Sequence, residues 1–229
     1  MRIPLTRFGM PQVAVYPIGL IVLMLVCFLV FRAVIPLWAM ITVELVLVLV
    51  LIWALSFFRD PQRDCPDDPD LLLAPADGMV TDIEFVQEDS FIKGKALRIG
   101  IFLSIFNVHI NRAPCAVKVD GTKYYPGKYK NALNPESSRV NEANAIHCIR
   151  TCLPHDKLIV RQISGAIARR IVCRVSKGTQ LRAGEQVGMI KFGSRTELYV
   201  AARENLVCQV KKGDKVRAGL TIMARYNHE

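Results

Sequence analysis

Residues 191–200 are Lys-Phe-Gly-Ser-Arg-Thr-Glu-Leu-Tyr-Val, a Gly-Ser pair inside an apolar, strand-like run. Glycine is unusual in the middle of a strand because it packs nothing, and it suits a point of strain or of close approach to the backbone. Ser194, directly after Gly193, is placed to attack the preceding carbonyl in an N-to-O acyl shift. The resulting ester can eliminate to dehydroalanine and hydrolyse to a pyruvoyl group. An isolated Gly-Ser pair more often marks a bulge or a turn, so the rest of the chain decides.

The chain beyond residue 70 alternates short apolar runs with Gly, Pro and Asp. None of these runs keeps an apolar period of about 3.6 residues over several turns, which argues against a helical body. Short strands at this spacing are typical of an antiparallel β-sandwich or of a barrel-like body. The sequence therefore predicts a mainly β domain over residues 71–229.

An internal repeat lies on both sides of the Gly-Ser pair. Residues 175–184 recur as residues 210–219, and each copy has a Lys-Gly turn, a short apolar step and a second glycine turn. The pattern resembles the paired hairpins of lipoyl and biotinyl carrier domains. Repeated turn chemistry in a sandwich explains it equally well. Either way, the Gly-Ser pair is predicted to lie on the strand that joins the two copies.

The N-terminus carries two long apolar runs. Residues 13–31 are uncharged, and residues 33–58 contain Glu44 as their single charge. Each run is long enough to cross a hydrocarbon core of about 30 Å as a helix. A signal peptide would have a shorter apolar region and no second run directly after it. We therefore predict a membrane-anchoring helical hairpin over residues 1–58 and a proline-rich connector over residues 59–70.

The distribution of basic residues predicts the side on which the body lies. The only Lys or Arg residues before residue 59 are Arg2, Arg7 and Arg32. The body after this point holds every acidic residue except Glu44 and still carries a net positive charge. The positive-inside tendency places the N-terminus and the body in the cytoplasm, at the cell membrane. A basic body beside a membrane favours contact with anionic lipid. No aromatic-interleaved basic ribbon or helix-turn-helix pattern indicates nucleic acid as a partner.

The seven cysteines form no paired Cys-x-x-Cys pattern. Cys148 and Cys152 are four residues apart, with His147 and His155 close by, but no second ligand cluster accompanies them. The sequence therefore predicts no metal site and favours reduced, buried thiols.

Four blocks in the chain, in this order, match a known family. They are Phe-Phe-Arg-Asp-Pro-Gln-Arg at 57–63, Pro-Ala-Asp-Gly-Met-Val at 75–80, Asn-Val-His-Ile-Asn-Arg-Ala-Pro at 107–114 and Phe-Gly-Ser-Arg at 192–195. Residues 163–172 add a fifth similarity. On these blocks the chain resembles the phosphatidylserine decarboxylase proenzymes, in their short, membrane-bound prokaryotic form.

The resemblance implies autocatalytic cleavage between Gly193 and Ser194, with Ser194 becoming a covalent pyruvoyl cofactor. The large and small chains of the precursor would stay associated. It also makes Asp77 and His109 candidate catalytic residues, although an Asp-Gly turn and a core histidine are ordinary structural features. The long bacterial form carries His-x-x-His in this region, whereas this chain has His109 followed by Arg112. Arginine cannot act as a base near neutral pH, so the base for self-cleavage stays open.

The implied activity is conversion of phosphatidylserine into phosphatidylethanolamine, with a phospholipid substrate and a membrane as partners. Archaetidylserine, the archaeal ether-lipid counterpart, is the alternative substrate, since both lipids have the serine head group where the chemistry occurs. A non-catalytic membrane adaptor with a lipoyl-like domain is the alternative from another class. Such an adaptor would need no chain scission at the Gly-Ser pair.

Overall fold

The computed structural model describes residues 5–134, 136–166, 170–191 and 194–227. The chain divides into two compact units, Met1–Pro61 and Gln62–Glu229. The first unit contains the long helices, and the second contains all the named strands.

The first unit has a short 3-10 helix, Arg7–Gly9, followed by α1, Gln12–Phe31, and α2, Leu37–Phe57. Both long helices are apolar and long enough to cross a membrane, and most of their large side chains are exposed. The second helix begins directly after Pro36, whose missing N–H costs nothing at a helix start. The two apolar N-terminal helices agree with the sequence prediction.

The second unit is mainly antiparallel β, as predicted, because all its named strands pair antiparallel. Its one short helix is α3, Ser137–Val140. The strands are β1 Leu71–Leu73, β2 Gly78–Glu88, β3 Gly94–Leu103, β4 Ile110–Arg112, β5 Val117–Tyr125, β6 Ala143–Arg150, β7 Lys157–Ile163, β8 Arg170–Cys173, β9 Gln180–Leu181, β10 Gln186–Lys191, β11 Ser194–Ala201, β12 Leu206–Cys208, β13 Lys215–Val216 and β14 Ile222–Tyr226.

Eight strands form the largest sheet, in the order β13-β2-β3-β11-β7-β6-β5-β9. Two three-stranded sheets, β1-β14-β12 and β4-β10-β8, complete the fold. Among the described residues the large sheet keeps two edges, at β13 and β9, so these strands form layered sheets and no closed barrel. The main core joins side chains of the large sheet, such as Ile99 and Leu198, with Val187 and Met223 of the small sheets.

The sequence repeat corresponds to two matching sets of turns. Gly178 and Gly213 have φ of 92° and 95°, and Gly184 and Gly219 have φ of 77° and 73°. Only glycine adopts such angles without cost. One copy contributes β9, which pairs with β5, and the other contributes β13, which pairs with β2. The two copies thus supply the strands at the two opposite edges of the large sheet, and β11 lies near its centre.

Candidate active site

Ser194 is the first residue of the central strand β11 and pairs with Leu103 of β3. Its side chain is completely buried, and its Oγ has no hydrogen-bond partner among the described residues. A buried hydroxyl without a partner is rare in native proteins and asks for an explanation. The other half of the predicted scissile pair, Gly193, lies outside the described residues.

Arg195 fixes the strand immediately after the serine. Its buried guanidinium donates to both carboxylate oxygens of Asp82, at 2.8 and 2.7 Å, and its Nε donates to Glu197 at 2.8 Å. A further bond of 2.7 Å goes to the Thr81 hydroxyl. The guanidinium lies against Gly100, where a Cβ would overlap it. This forked pair lies at the start of β11 and sets the position of Ser194.

The opposite face of β11 carries a chain of polar side chains. The Asn111 Nδ2 donates to the Thr196 Oγ1 at 2.9 Å, and the Gln162 Nε2 donates to the Asn111 Oδ1 at 2.9 Å. Asn144 extends the chain by donating to the Gln162 Oε1 at 3.2 Å. These four residues are all buried. They connect β4 to the large sheet beside Ser194, where an apolar core would otherwise continue.

His109 is completely buried just before β4. Its Nδ1 lies 3.0 Å from the Asn107 carbonyl oxygen. A carbonyl only accepts, so in the neutral ring Nδ1 carries the hydrogen and Nε2 is the basic nitrogen.

Backbone pairing places His109 beside β10, the strand that leads to the predicted junction. On the way to the junction, Gly188 pairs with Asn111, and the Ile190 N–H donates to the His109 carbonyl at 3.3 Å. In β11, the Thr196 Oγ1 accepts a hydrogen bond from the Asn111 Nδ2. His109 thus lies beside Ile190, two residues farther along β10 than Gly188, the partner of Asn111.

Asp77 is held by a partner that the sequence reasoning missed. Its two carboxylate oxygens accept from the Arg63 guanidinium at 2.6 and 2.8 Å, and the Ala218 N–H donates to one of them at 2.8 Å. Both side chains of the pair are nearly buried. None of the hydrogen bonds of Asp77 in the described part of the chain goes to His109 or Ser194. Arg63 belongs to the block at 57–63, but only the fold shows that it reaches Asp77.

Arg112 supports the turns of the repeat. Its Nη1 donates to the Gly184 carbonyl at 2.9 Å, its N–H donates to the Pro75 carbonyl at 2.9 Å, and its Cδ lies close to Gly219. Arg112, which the resemblance aligns with the second histidine of the long form, thus bonds to backbone.

Within the described residues, no group of three or more His, Cys, Asp and Glu side chains is arranged to hold a metal ion. The seven cysteines are all unpaired thiols. Burial raises the pKa of the Cys115 and Cys148 thiols to about 12, which keeps both protonated and unreactive near neutral pH.

Comparison with known proteins identifies relatives over most of the chain. The family model described as phosphatidylserine decarboxylase matches residues 50–224. A phosphatidylserine decarboxylase proenzyme of Desulfotalea psychrophila is 45% identical over 148 residues, which cover 65% of this chain and 68% of the relative. A protein of the same name from Carboxydothermus hydrogenoformans is 44% identical, over 68% of this chain and 72% of the relative. Another, from Cupriavidus metallidurans, is 38% identical, over 74% of this chain and 73% of the relative.

The Arg63–Asp77 pair should make a large contribution to stability. Arg63→Met leaves a nearly buried carboxylate without its cation, so we expect the free energy of unfolding to fall by about 3–5 kcal/mol. Arg225→Met is the matched control, because the Arg225–Asp68 pair of 3.0 Å is largely exposed and should contribute about 0–1 kcal/mol. Denaturant unfolding of the two variants beside the unaltered chain measures the difference. Equal losses in the two variants would contradict a structural role for Arg63.

Proposed function

The chain belongs to the phosphatidylserine decarboxylase family, and from this premise we propose that it is a self-cleaving proenzyme that converts phosphatidylserine into phosphatidylethanolamine. The observation that carries the proposal is the Ser194 hydroxyl, which is buried and unbonded among the described residues. It follows a glycine in sequence and begins a strand held from both sides. A structural serine at this point would be expected to use its hydroxyl in a hydrogen bond.

The reactants of self-cleavage are the Ser194 hydroxyl, the preceding carbonyl and water. The Ser194 Oγ attacks the Gly193 carbonyl carbon, the peptide C–N bond breaks, and the proton of the hydroxyl ends on the released amine. Removal of the Ser194 α-proton then expels the Gly193 carboxylate and leaves dehydroalanine. This enamine becomes an imine, which water hydrolyses to ammonia and a pyruvoyl group. The products are residues 1–193 and a small chain of residues 194–229, which we propose stay associated.

The pyruvoyl cofactor suits the proposed substrate. Its ketone supplies an electron sink for the carbanion that forms when an amino acid loses carbon dioxide. Ser194 lies on the face of β11 that carries the hydrogen-bonded chain of Thr196, Asn111 and Gln162, so the group would form on the side of the strand that carries polar side chains. These residues orient the head group and exclude bulk water.

We assign His109 to the decarboxylation step. Its Nδ1 lies against the Asn107 carbonyl oxygen, so Nε2 is the ring nitrogen that would carry and deliver the proton. The proton that replaces carbon dioxide on the α-carbon must come from a general acid at the site, and we propose that His109 supplies it.

We assign Asp77 to self-cleavage, a different step from that of His109. Its carboxylate ties the connector, through Arg63, to the Ala218 loop of the second repeat copy. We propose that Asp77 orients this part of the precursor for self-cleavage. The residue after it, Gly78, is the first residue of β2.

The apolar hairpin supports a membrane location, and we propose a cytoplasmic body from the positive-inside tendency. Archaetidylserine stays the alternative substrate, and assays with each lipid would separate the two. The resemblance of the repeat to lipoyl-like hairpins supports a non-catalytic adaptor only weakly, because it leaves the buried Ser194 hydroxyl unexplained.

Replacing Ser194 should abolish maturation. Ser194→Ala lacks the attacking oxygen, so the chain should stay whole and inactive. Ser194→Thr and Ser194→Cys keep a nucleophile and should cleave more slowly than the unaltered chain. A denaturing gel of each purified protein measures the fragments. Normal fragments from Ser194→Ala would refute the proposed cleavage chemistry.

His109→Ala should separate maturation from turnover. We expect cleavage to proceed, while carbon dioxide release per cleaved molecule falls by about 10²- to 10⁴-fold through loss of a general acid. Asp77→Asn should give the opposite balance, mostly uncleaved chain. His155→Ala is the matched control, since the His155 Nδ1 makes a similar contact of 3.1 Å to the Arg150 carbonyl oxygen. Accumulation of precursor alone from His109→Ala would show that His109 is needed for maturation.

Deleting residues 1–56 should release the protein from the membrane pellet. The remaining basic body should bind anionic vesicles weakly, and added salt should reduce that binding because it is electrostatic. Sedimentation with vesicles at low and high salt measures both effects. Salt-insensitive pelleting of the folded, truncated protein would contradict the anchor.

A further inference from the structure

Three buried polar atoms near the cleavage junction have no hydrogen-bond partner in the described part of the chain. They are the Ser194 Oγ, the Ser164 Oγ and the Glu142 Oε2. Both serines are completely buried, and Glu142 is 9% exposed. Single buried polar atoms without partners are uncommon in native proteins, so three in one region point to a function.

The three residues occupy one row across the large sheet. Arg195 of β11 pairs with Ile163 of β7, so one further step along the antiparallel register places Ser164 opposite Ser194. The Ser164 N–H donates to the Glu142 carbonyl at 2.9 Å, which continues the row onto β6. Residues directly opposite one another share a face of the sheet, with Cβ atoms about 4.5–5.5 Å apart.

The shared face is the one that carries the polar chain of the site. In the neighbouring row, Gln162 pairs with both Thr196 and Asn144, and all three belong to the hydrogen-bonded chain centred on Asn111. Side chains two residues apart along a strand point to the same face. Ser194, Ser164 and Glu142 therefore line the same interior as this polar chain.

Two further contacts hold the row in place. The Tyr124 Oη donates to the Glu142 Oε1 at 3.0 Å, which secures one carboxylate oxygen and leaves Oε2 for another donor. The Glu142 hydrogen bond raises the pKa of Tyr124, which keeps it protonated as the donor. The Asn141 Nδ2 donates to the Ser164 carbonyl at 2.8 Å and fixes the backbone of the middle serine.

We propose that Ser164 and Glu142 form the proton-accepting arm of self-cleavage, in the role that Arg112 cannot fill. The inference rests on the proposed function of Ser194. A change of χ1 rotamer is enough to turn the hydroxyls of two cross-strand serines toward each other. As the Ser194 Oγ attacks the Gly193 carbonyl, its proton passes to the Ser164 Oγ while the Ser164 proton passes to the Glu142 Oε2. The same path returns the proton to the amine that leaves when the peptide C–N bond breaks.

Asp77 and Arg112 are engaged elsewhere, and His109 is assigned to the decarboxylation step. The Asp77 carboxylate is bonded to Arg63 and to the Ala218 N–H. Arg112 bonds to the Gly184 carbonyl and stays protonated. Glu142 is the carboxylate whose row, face and unbonded oxygen all lead to Ser194.

The test follows maturation of newly made full-length precursor. Each variant is synthesised in a cell-free system with lipid nanodiscs, and fragment formation is timed on a denaturing gel. We expect Ser164→Ala and Glu142→Gln to slow cleavage by about 10²- to 10⁴-fold, the range for loss of a general base. Ser164→Thr and Glu142→Asp should recover part of the rate. Glu136→Gln, an exposed acidic position on the segment leading to α3, is the matched control and should cleave at the unaltered rate.

Hydroxylamine identifies the step that the arm serves, because it cuts the ester formed by the acyl shift. Without the arm the ester forms far more slowly, so hydroxylamine should release fragments from Glu142→Gln at the same reduced rate. Release at the unaltered rate would overturn the proposal, and so would unaltered cleavage of both Ser164→Ala and Glu142→Gln.

A folding control completes the test. Glu142→Gln is compared with the parent in a Ser194→Ala background, where neither protein cleaves. We expect the same unfolding temperature for both. A large fall in this temperature, together with no recovery by Glu142→Asp, would assign Glu142 a structural role and overturn the arm. Ser194→Ala alone reports on the cleavage chemistry itself, so a failure of the proton-accepting arm is distinguishable from a failure of the proposed function.

Discussion

The buried ion pair between Arg195 and Asp82 is the constraint on which the site depends. Burial opposes ionisation of Asp82, but hydrogen bonds from Thr81 and Arg195 and the nearby positive charges outweigh it and hold the pKa of Asp82 below its ordinary value. Removing one partner of such a pair would leave an uncompensated charge, at a cost of about 3–5 kcal/mol. The pair ties β11 to β2 across β3 and so fixes the register of the strand that begins with Ser194. A one-residue slip would turn the serine to the other face of the sheet.

The two faces of β11 have different surroundings. One face carries Arg195 and Glu197 in an ionic network, and the other carries Ser194 and Thr196 toward the polar interior. Farther along the same strand, Leu198 and Val200 join the apolar core. The polar interior is therefore confined to the end of the sheet where cleavage is proposed, and the apolar remainder supplies the rigidity. The chain from Thr196 to Asn144 is tolerated at this end because its members bond to one another. Ser194, Ser164 and Glu142 each keep one atom without a partner among the described residues.

Much of this arrangement follows from sequence and some of it does not. The glycines of the repeat predicted its turns because positive φ leaves few other choices, and the short apolar runs predicted an antiparallel β body. Helix α2 begins at Leu37, later than the apolar run from residue 33, because the chain turns before Pro36. The Gly-Ser pair was visible because its chemistry needs two adjacent residues. Pairings such as Arg63 with Asp77, or Ser164 opposite Ser194, depend on strand register and loop path, which a single sequence does not display. A closed barrel was equally consistent with the spacing of the runs, but the edges at β13 and β9 leave the described sheet open.

The mass of the small chain tests the central claim most directly. Purified protein is denatured, its fragments are separated, and the intact mass of the fragment beginning at residue 194 is measured. We predict that this fragment is lighter, by the mass of one ammonia molecule, than a chain of residues 194–229 that begins with unmodified serine. It should also carry a ketone that reacts with hydrazides. A single uncut chain from active protein, or a fragment that begins with an unmodified serine, would contradict it.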